Sequence, residues 1–173
     1  MIRSLGTLSR EVVVARARKA VGHTTTYRLG AGGRDPLAES PADPLTDACD
    51  CSGFVAWALG VDRYLPNATV PHMAGKVWFE TTAVYEDAMQ PAFGFAAHVG
   101  WTQALPGDVL VWPDHNMKQG HIGVVSEVGP DGPTKVIHCS VGNWNEHHDA
   151  IAETDPEVFR AHDAIVARVS WVR

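Results

Sequence analysis

Nowhere in its 173 residues does the chain hold the roughly 18 consecutive apolar residues that a membrane-spanning helix needs. Its first residues, MIRSLGTLSREVVVARARKA, carry positive charge but no apolar core of about seven residues, because Val12 to Ala15 is closed in by Glu11 and Arg16. The expectation is a soluble chain made in the cytoplasm without a Sec signal, so that a site of action in the periplasm or cell wall is reached by another route. Cysteine is scarce as well. The 3 cysteines, Cys49, Cys51 and Cys139, are odd in number, and the first two stand too close to bridge without strain, so no disulfide framework is implied. Excess positive charge is also missing. With 14 Lys and Arg against 20 Asp and Glu, the net charge of −6 carries no nucleic-acid-binding signature. Internal repeats and low-complexity tracts are absent too.

What is there reads as one globular domain over residues 1–173, with 45% hydrophobic and 20% charged residues. Seven of the 14 basic residues fall within the first 34, and Asp35 to Asp50 is purely acidic, which reads as a solvated basic helix followed by an acidic loop. That helix is expected over 9–21, capped by Thr7 or Ser9, with Val13, Ala17, Ala20 and Val21 on one face and Gly22 at its end. A Gly- and Pro-rich loop follows, with Tyr27 near its start. Asp50 or Cys51 opens a second helix, Ser52 to Leu59, which is apolar nearly all round and therefore buried. The spacing also predicts a helix from His72 to Thr82. Strands are expected at 108–112, at 121–128, at 136–141 after the turn GPDGPTK, and at the C-terminus over 164–172. Helix first and strands later argues for an α+β fold whose antiparallel sheet carries helices on one face.

A thiol becomes a strong nucleophile only as a thiolate, and the free N–H groups and dipole at a helix N-terminus favour that anion. Cys51 sits where the buried helix begins, and Cys49 lies before it in the loop. Acyl transfer needs a base within hydrogen-bond reach and a polar group to hold that base in its working tautomer. His121 and His138 stand on consecutive strands. An even number of residues in the connecting turn puts them on one sheet face, and an odd number separates them. Gly120 and Gly123 leave room for a close approach, which suits a sheet packed under the Cys51 helix.

Four stretches, DCSGFV at Asp50, PGDVLVW at Pro106, GHIGVV at Gly120 and VIHCS at Val136, resemble in that order the motif series of the NlpC/P60 family of papain-like cysteine peptidases. The resemblance covers about residues 27–140. It implies a papain-like fold in which an antiparallel sheet packs against the helix carrying the nucleophile. It implies Cys51 as nucleophile, His121 as general base and His138 as the residue that orients it. The implied substrate is the stem peptide of bacterial peptidoglycan, cut at a γ-D-glutamyl to diamino-acid bond. By the same resemblance Tyr27, Asp50 and Ser52 line the substrate pocket. Asp50 has two readings that are compatible, capping the helix and pairing with a substrate ammonium.

Asn143 and Trp144, after the His138 strand, are candidates for a substrate wall, whereas His115, His147 and His148 read as surface and Cys139 as core. Cys49, Cys51, His121, His138 and Cys139 are all ligands that zinc accepts, but no CxxC or HxxxH spacing supports a metal site, and no cofactor is expected. An acyltransferase or a lipid or thioester hydrolase on the same scaffold stays open, as does a non-catalytic zinc module. The biological settings that fit are a phage lysis enzyme or a type VI secretion amidase effector, with any delivery or immunity partner unidentified.

Overall fold

The computed structural model describes residues 5–65, 77–90 and 94–173. Helix α1 (Arg10–Lys19) starts at Ser9, whose hydroxyl accepts the Val12 N–H, and it buries Val13, Val14 and Ala17. It stops two residues short of the expected end, so Val21 is exposed. The basic face is not merely solvated. Arg16 donates to the Trp57 and Pro36 carbonyls at 2.7 and 2.8 Å and lies over the Trp57 ring, while Arg18 bridges Glu127 and Glu153. Strand β1 (Thr26–Tyr27) runs parallel to β2 (Ala48–Cys49), closing what the sequence suggested was an unbroken loop. Two-residue strands carry no readable alternation, which is why composition alone pointed to loop.

Helix α2 (Cys51–Ala58) is buried along its whole length and begins at Asp50, whose carboxylate accepts the Gly53 N–H at 2.7 Å. The preceding loop rides directly on it. A Cβ on Gly33 would come within 2.6 Å of the Gly53 Cα, and Gly33 has φ +66°, so only glycine serves there. Strands β3 (Tyr64–Leu65) and β4 (Val77–Trp78) form an antiparallel ribbon. The helix expected over His72 to Thr82 falls largely outside the described residues. Its described end is strand β4, and helix α3 (Thr81–Met89) starts only where the Glu80 carboxylate takes the Thr82 and Ala83 N–H groups. The cap, rather than the apolar spacing, sets that start.

Six strands make the main sheet: β5 (Ala96–Val99), β6 (Val109–Trp112), β7 (His121–Gly129), β8 (Gly132–Cys139), β9 (Ile151–Thr154) and β10 (Ile165–Val169). Their spatial order is β5-β10-β6-β7-β8-β9, and every neighbouring pair is antiparallel. Helices α4 (Val141–His147) and α5 (Glu157–Arg160) fall between β8 and β10. The fold is thus α+β, with a six-stranded antiparallel sheet packed by helices. The long turn expected at GPDGPTK is instead a two-residue connection. Gly129 pairs with Gly132, and Pro133 to Lys135 belong to β8 beside irregularities at Glu127. An extended β8 explains the long stretch of sequence between the two histidines without a long loop.

One sheet face buries Val109, Val111, Ile122, Val124 and Ile137 against Phe54, Val55 and Trp57. The other face carries a smaller cluster of Leu110, Val125, Val136, Phe159 and Val166, so helices cover both faces rather than one. Asp108 ties the ends of the chain to this sheet. It is 1% exposed, accepts from Arg10 and Arg168 at 2.8 Å each, and takes the Leu105 N–H at 2.9 Å. Removing one side of a buried charge pair strands the other, a loss of several kcal/mol. Asp108→Ala is therefore expected to cost about 3 kcal/mol, read as a lower urea midpoint at unchanged m-value.

Candidate active site

Cys51 occupies the first residue of α2. The paired register of β7 and β8 stops at Gly123 and His138, one residue short of Ile122, whose backbone N–H, with that of Ser52, favours the thiolate of Cys51. This sets Cys51 near the start of β7, the strand that His121 opens. The two-residue turn has the even parity that puts His121 and His138 on one face. Their rings meet edge-on with centroids 4.9 Å apart, and His121 Nε2 lies 2.8 Å from His138 Nδ1. His138 Nε2 is 3.0 Å from the Thr154 hydroxyl on β9. Both imidazoles face Phe159 on the sheet side away from the α2 core. Gly123 accordingly makes room for Phe159 and His138, and Gly120 for Thr81 and the Trp112 carbonyl, rather than for α2.

Burial dominates the electrostatics. The Cys51 thiol is pushed up to about 12 by loss of water and then by the Asp50 charge, with the Ser52 and Ile122 N–H groups and Arg63 pulling the other way. The helix N-terminus thus moderates the thiol's acidity without overcoming burial. His121 falls well below the ordinary histidine range, first through burial and then through repulsion by His138 and His162. His138 falls to about 4 through burial, against a small upward pull from Asp155. The resting site is a neutral thiol beside two neutral imidazoles.

Asp50 serves as the cap, and its second oxygen is also occupied. Its carboxylate takes the Gly30 N–H at 2.6 Å and the Arg63 guanidinium at 2.7 Å, with the two side chains 1% and 2% exposed. Arg63 also donates to the Ser52 hydroxyl at 2.8 Å and the Ala31 carbonyl at 2.9 Å, and it lies 4.2 Å from the Trp78 ring centre. A cleft of about 270 Å³ opens here, lined by Tyr27, Asp50, Cys51 and Ser52 on one side and by Glu80, Thr81, Asp114, Gln119 and Gly120 on the other. Burial first, and the nearby Asp50 carboxylate, keep the Tyr27 phenol protonated far into the alkaline range, where it remains a hydrogen-bond donor. Glu80 is raised by burial and by Asp114, and among the described residues neither carboxylate is paired with a cation. A second hollow of about 390 Å³, lined by Tyr85, Trp112, His115 and His162, shares Gln119 with the first. A third hollow, about 510 Å³ in the acidic loop between Gly32 and Asp47, is lined by neither Cys51 nor either imidazole.

The remaining sequence candidates lie elsewhere. Trp144 packs from α4 onto the main core with His148 at its edge, and it is not among the described residues lining the cleft. The Asn143 amide is buried and donates to the His138 and Ala150 carbonyls, holding β8 and β9 together. Cys49 and Cys139 are fully buried thiols that donate to backbone carbonyls. Among the described residues no group of three or more His, Cys, Asp or Glu is arranged to hold a metal. Sequence reasoning missed Arg63, Glu80 and Thr154. A lone Arg after a helix, a Glu ahead of one and a Thr in an unassigned segment carry no pattern that would single them out.

A buried cysteine opening a helix that packs on an antiparallel sheet, with two hydrogen-bonded imidazoles on that sheet, fits the papain-like cysteine amidases. Within that class residues 43–143, more than half of the chain, match the CHAP domain, and the chain belongs to the CHAP family. This family shares the papain-like superfamily with NlpC/P60, so the resemblance seen in the sequence holds at superfamily level and the family itself is the neighbouring one. No curated protein gives a significant match to the chain. The CHAP domain makes this a cysteine-dependent amidohydrolase of the class that acts on peptidoglycan.

Two measurements probe the resting state. Iodoacetamide alkylation of Cys51 is expected to accelerate with pH throughout the range 7–10, whereas a plateau extending below neutrality would reveal a thiolate–imidazolium pair instead. Because the folded chain holds His138 near 4 while an unfolded histidine titrates near 6.5, the unfolded state binds more protons between those values. Stability is therefore expected to fall as pH drops from 6.5 towards 4, and to fall less in His138→Gln, as read by urea midpoints.

Proposed function

We propose that the chain hydrolyses an amide bond in the peptidoglycan stem peptide, the γ-D-glutamyl to diamino-acid bond, with Cys51 as nucleophile, His121 as general base and His138 as its orienting partner. The observation that carries this reading is the His121–His138 hydrogen bond at the start of β7, the strand whose Ile122 N–H favours the Cys51 thiolate. In this scheme the Cys51 proton moves to His121 Nδ1, the nitrogen not engaged with His138, as sulfur attacks the carbonyl carbon. The C–N bond then breaks, and the departing nitrogen takes that proton back from the imidazolium. Water, deprotonated by the same nitrogen, adds to the thioester. The C–S bond cleaves to release the acid, and the proton returns to sulfur. A neutral resting pair suits this order, because the proton transfer accompanies attack rather than preceding it.

The shape and charge of the cleft fit a stem peptide. The cleft lined by Cys51 shares Gln119 with a second hollow, which gives an extended substrate room beyond the first. Asp50 is neutralised by Arg63, which leaves Glu80 and Asp114 as the uncompensated charges for a substrate ammonium, the role the sequence suggested for Asp50. Tyr27 and Ser52 complete the near wall, and Trp144 is left without a substrate role. This reading carries with it a site of action in the periplasm or cell wall.

Cys51→Ala is expected to abolish release of soluble muropeptides from purified peptidoglycan, while Cys49→Ala retains it. Mass spectrometry of the products names the bond: new diamino-acid N-termini support the stem-peptide cut, and intact stems freed from muramic acid refute it in favour of the glycan–peptide amide. Equal loss of activity in both cysteine variants at unchanged stability would overturn the assignment of the nucleophile.

A further inference from the structure

A carboxylate that orients a catalytic histidine can only accept a hydrogen bond, so it fixes the tautomer of its partner by itself. A neutral imidazole in that place has one donor and one acceptor nitrogen and can be ordered either way. The His121–His138 pair, buried and uncharged, is therefore ambiguous taken alone. Ordered one way, His121 presents a basic Nδ1 to the thiol. Ordered the other way, it presents an N–H and cannot act as a base.

The ambiguity is resolved two strands away. The Thr154 hydroxyl donates to the Asp155 backbone carbonyl at 2.9 Å, and a carbonyl never donates. With its single proton spent, that hydroxyl can only accept from His138 Nε2, 3.0 Å away. His138 must then carry its proton on Nε2 and its lone pair on Nδ1, which accepts from His121 Nε2 at 2.8 Å. His121 is left with its lone pair on Nδ1. The register makes this chain continuous, because Gly123 faces His138 and Ala152 faces His138 from the other side. His121, His138 and Thr154 thus lie on a diagonal across one face of three adjacent strands.

We propose that Thr154 is a positioning residue of the site, fixing through His138 which nitrogen of His121 is basic, with the Asp155 carbonyl as the fixed end of the chain. The inference rests on the proposed Cys51 and His121 chemistry for its catalytic consequence, but not for the tautomers themselves. When His121 takes the thiol proton, its Nε2–H still donates to His138, so no bond in the chain reverses during the reaction.

The test uses the full chain labelled with 15N at histidine. Wild-type protein is expected to show both residues protonated at Nε2 and bare at Nδ1. Thr154→Val, which keeps the shape and removes the hydroxyl, is expected to shift or mix those tautomers. It should also lower kcat on muropeptides roughly 10- to 100-fold at little change in KM, the scale seen when a group that orients a functional side chain from behind is lost. Thr154→Ser restores both readouts. His121 or His138 found with its proton on Nδ1 in the wild-type protein overturns the proposal whatever the activity, and so does a Thr154→Val enzyme with wild-type kcat and pH profile. If Thr154→Val does not fold, the wild-type spectrum and the serine variant still decide. Absent muropeptide cleavage with the expected tautomers intact would sink the proposed reaction and leave the relay standing.

Discussion

The Asp50 carboxylate is the constraint on which the rest of the site depends. It takes N–H groups from Gly30 and Gly53 and the guanidinium of Arg63, so one buried anion joins the glycine loop, the first turn of α2 and the segment leading into β3. Burying such a pair is no gain in itself, since desolvating both charges offsets their attraction. What it provides is geometry. The first turn of α2 cannot rotate without stranding a charge, and Cys51 is carried on that turn. Arg63 also holds the Ser52 hydroxyl and stacks beside Trp78, so the near wall of the cleft is built from the same ion pair.

That anion also shapes the chemistry. Asp50 opposes ionisation of Cys51, and burial opposes it more, so the helix N-terminus leaves the thiol protonated. Histidines buried without a carboxylate likewise stay neutral. The thiol and both imidazoles are thus held on the neutral side. Between two neutral imidazoles the direction of each hydrogen bond matters more than net charge.

The parts legible in the sequence are those with strong local rules. Asp50 ahead of an apolar run reads as a cap and a buried helix, and the runs at Val109, His121 and Val136 read as strands because their β-branched residues sit between turn signals. What stayed hidden depends on partners distant in the chain. Pro130 and Pro133 suggested a long loop, yet Pro133 is tolerated inside β8 beside an irregularity in the β7–β8 register. Strand β9 is four residues of mixed polarity, stabilised by pairing with β8, so Thr154 had no signature. Arg63 carried no signal in the sequence, because it is buried against a carboxylate in a different segment. The His121–His138 contact stood between: parity left a shared face open, and the length of the turn, which decides it, is a tertiary result.

The distribution of acid residues around the cleft follows from the same bond. Arg63 offsets the charge of Asp50, and among the described residues Glu80 and Asp114 are the cleft carboxylates without a cationic partner. Glu80 is spent on capping α3, and Asp114 accepts the Gly120 N–H in the residue just before His121. A substrate cation seated between them would pull on the start of α3 and on the backbone entering β7 together. Asp114 and the backbone that enters β7 are thus joined through Gly120, where a side chain would strike Thr81 and the Trp112 carbonyl.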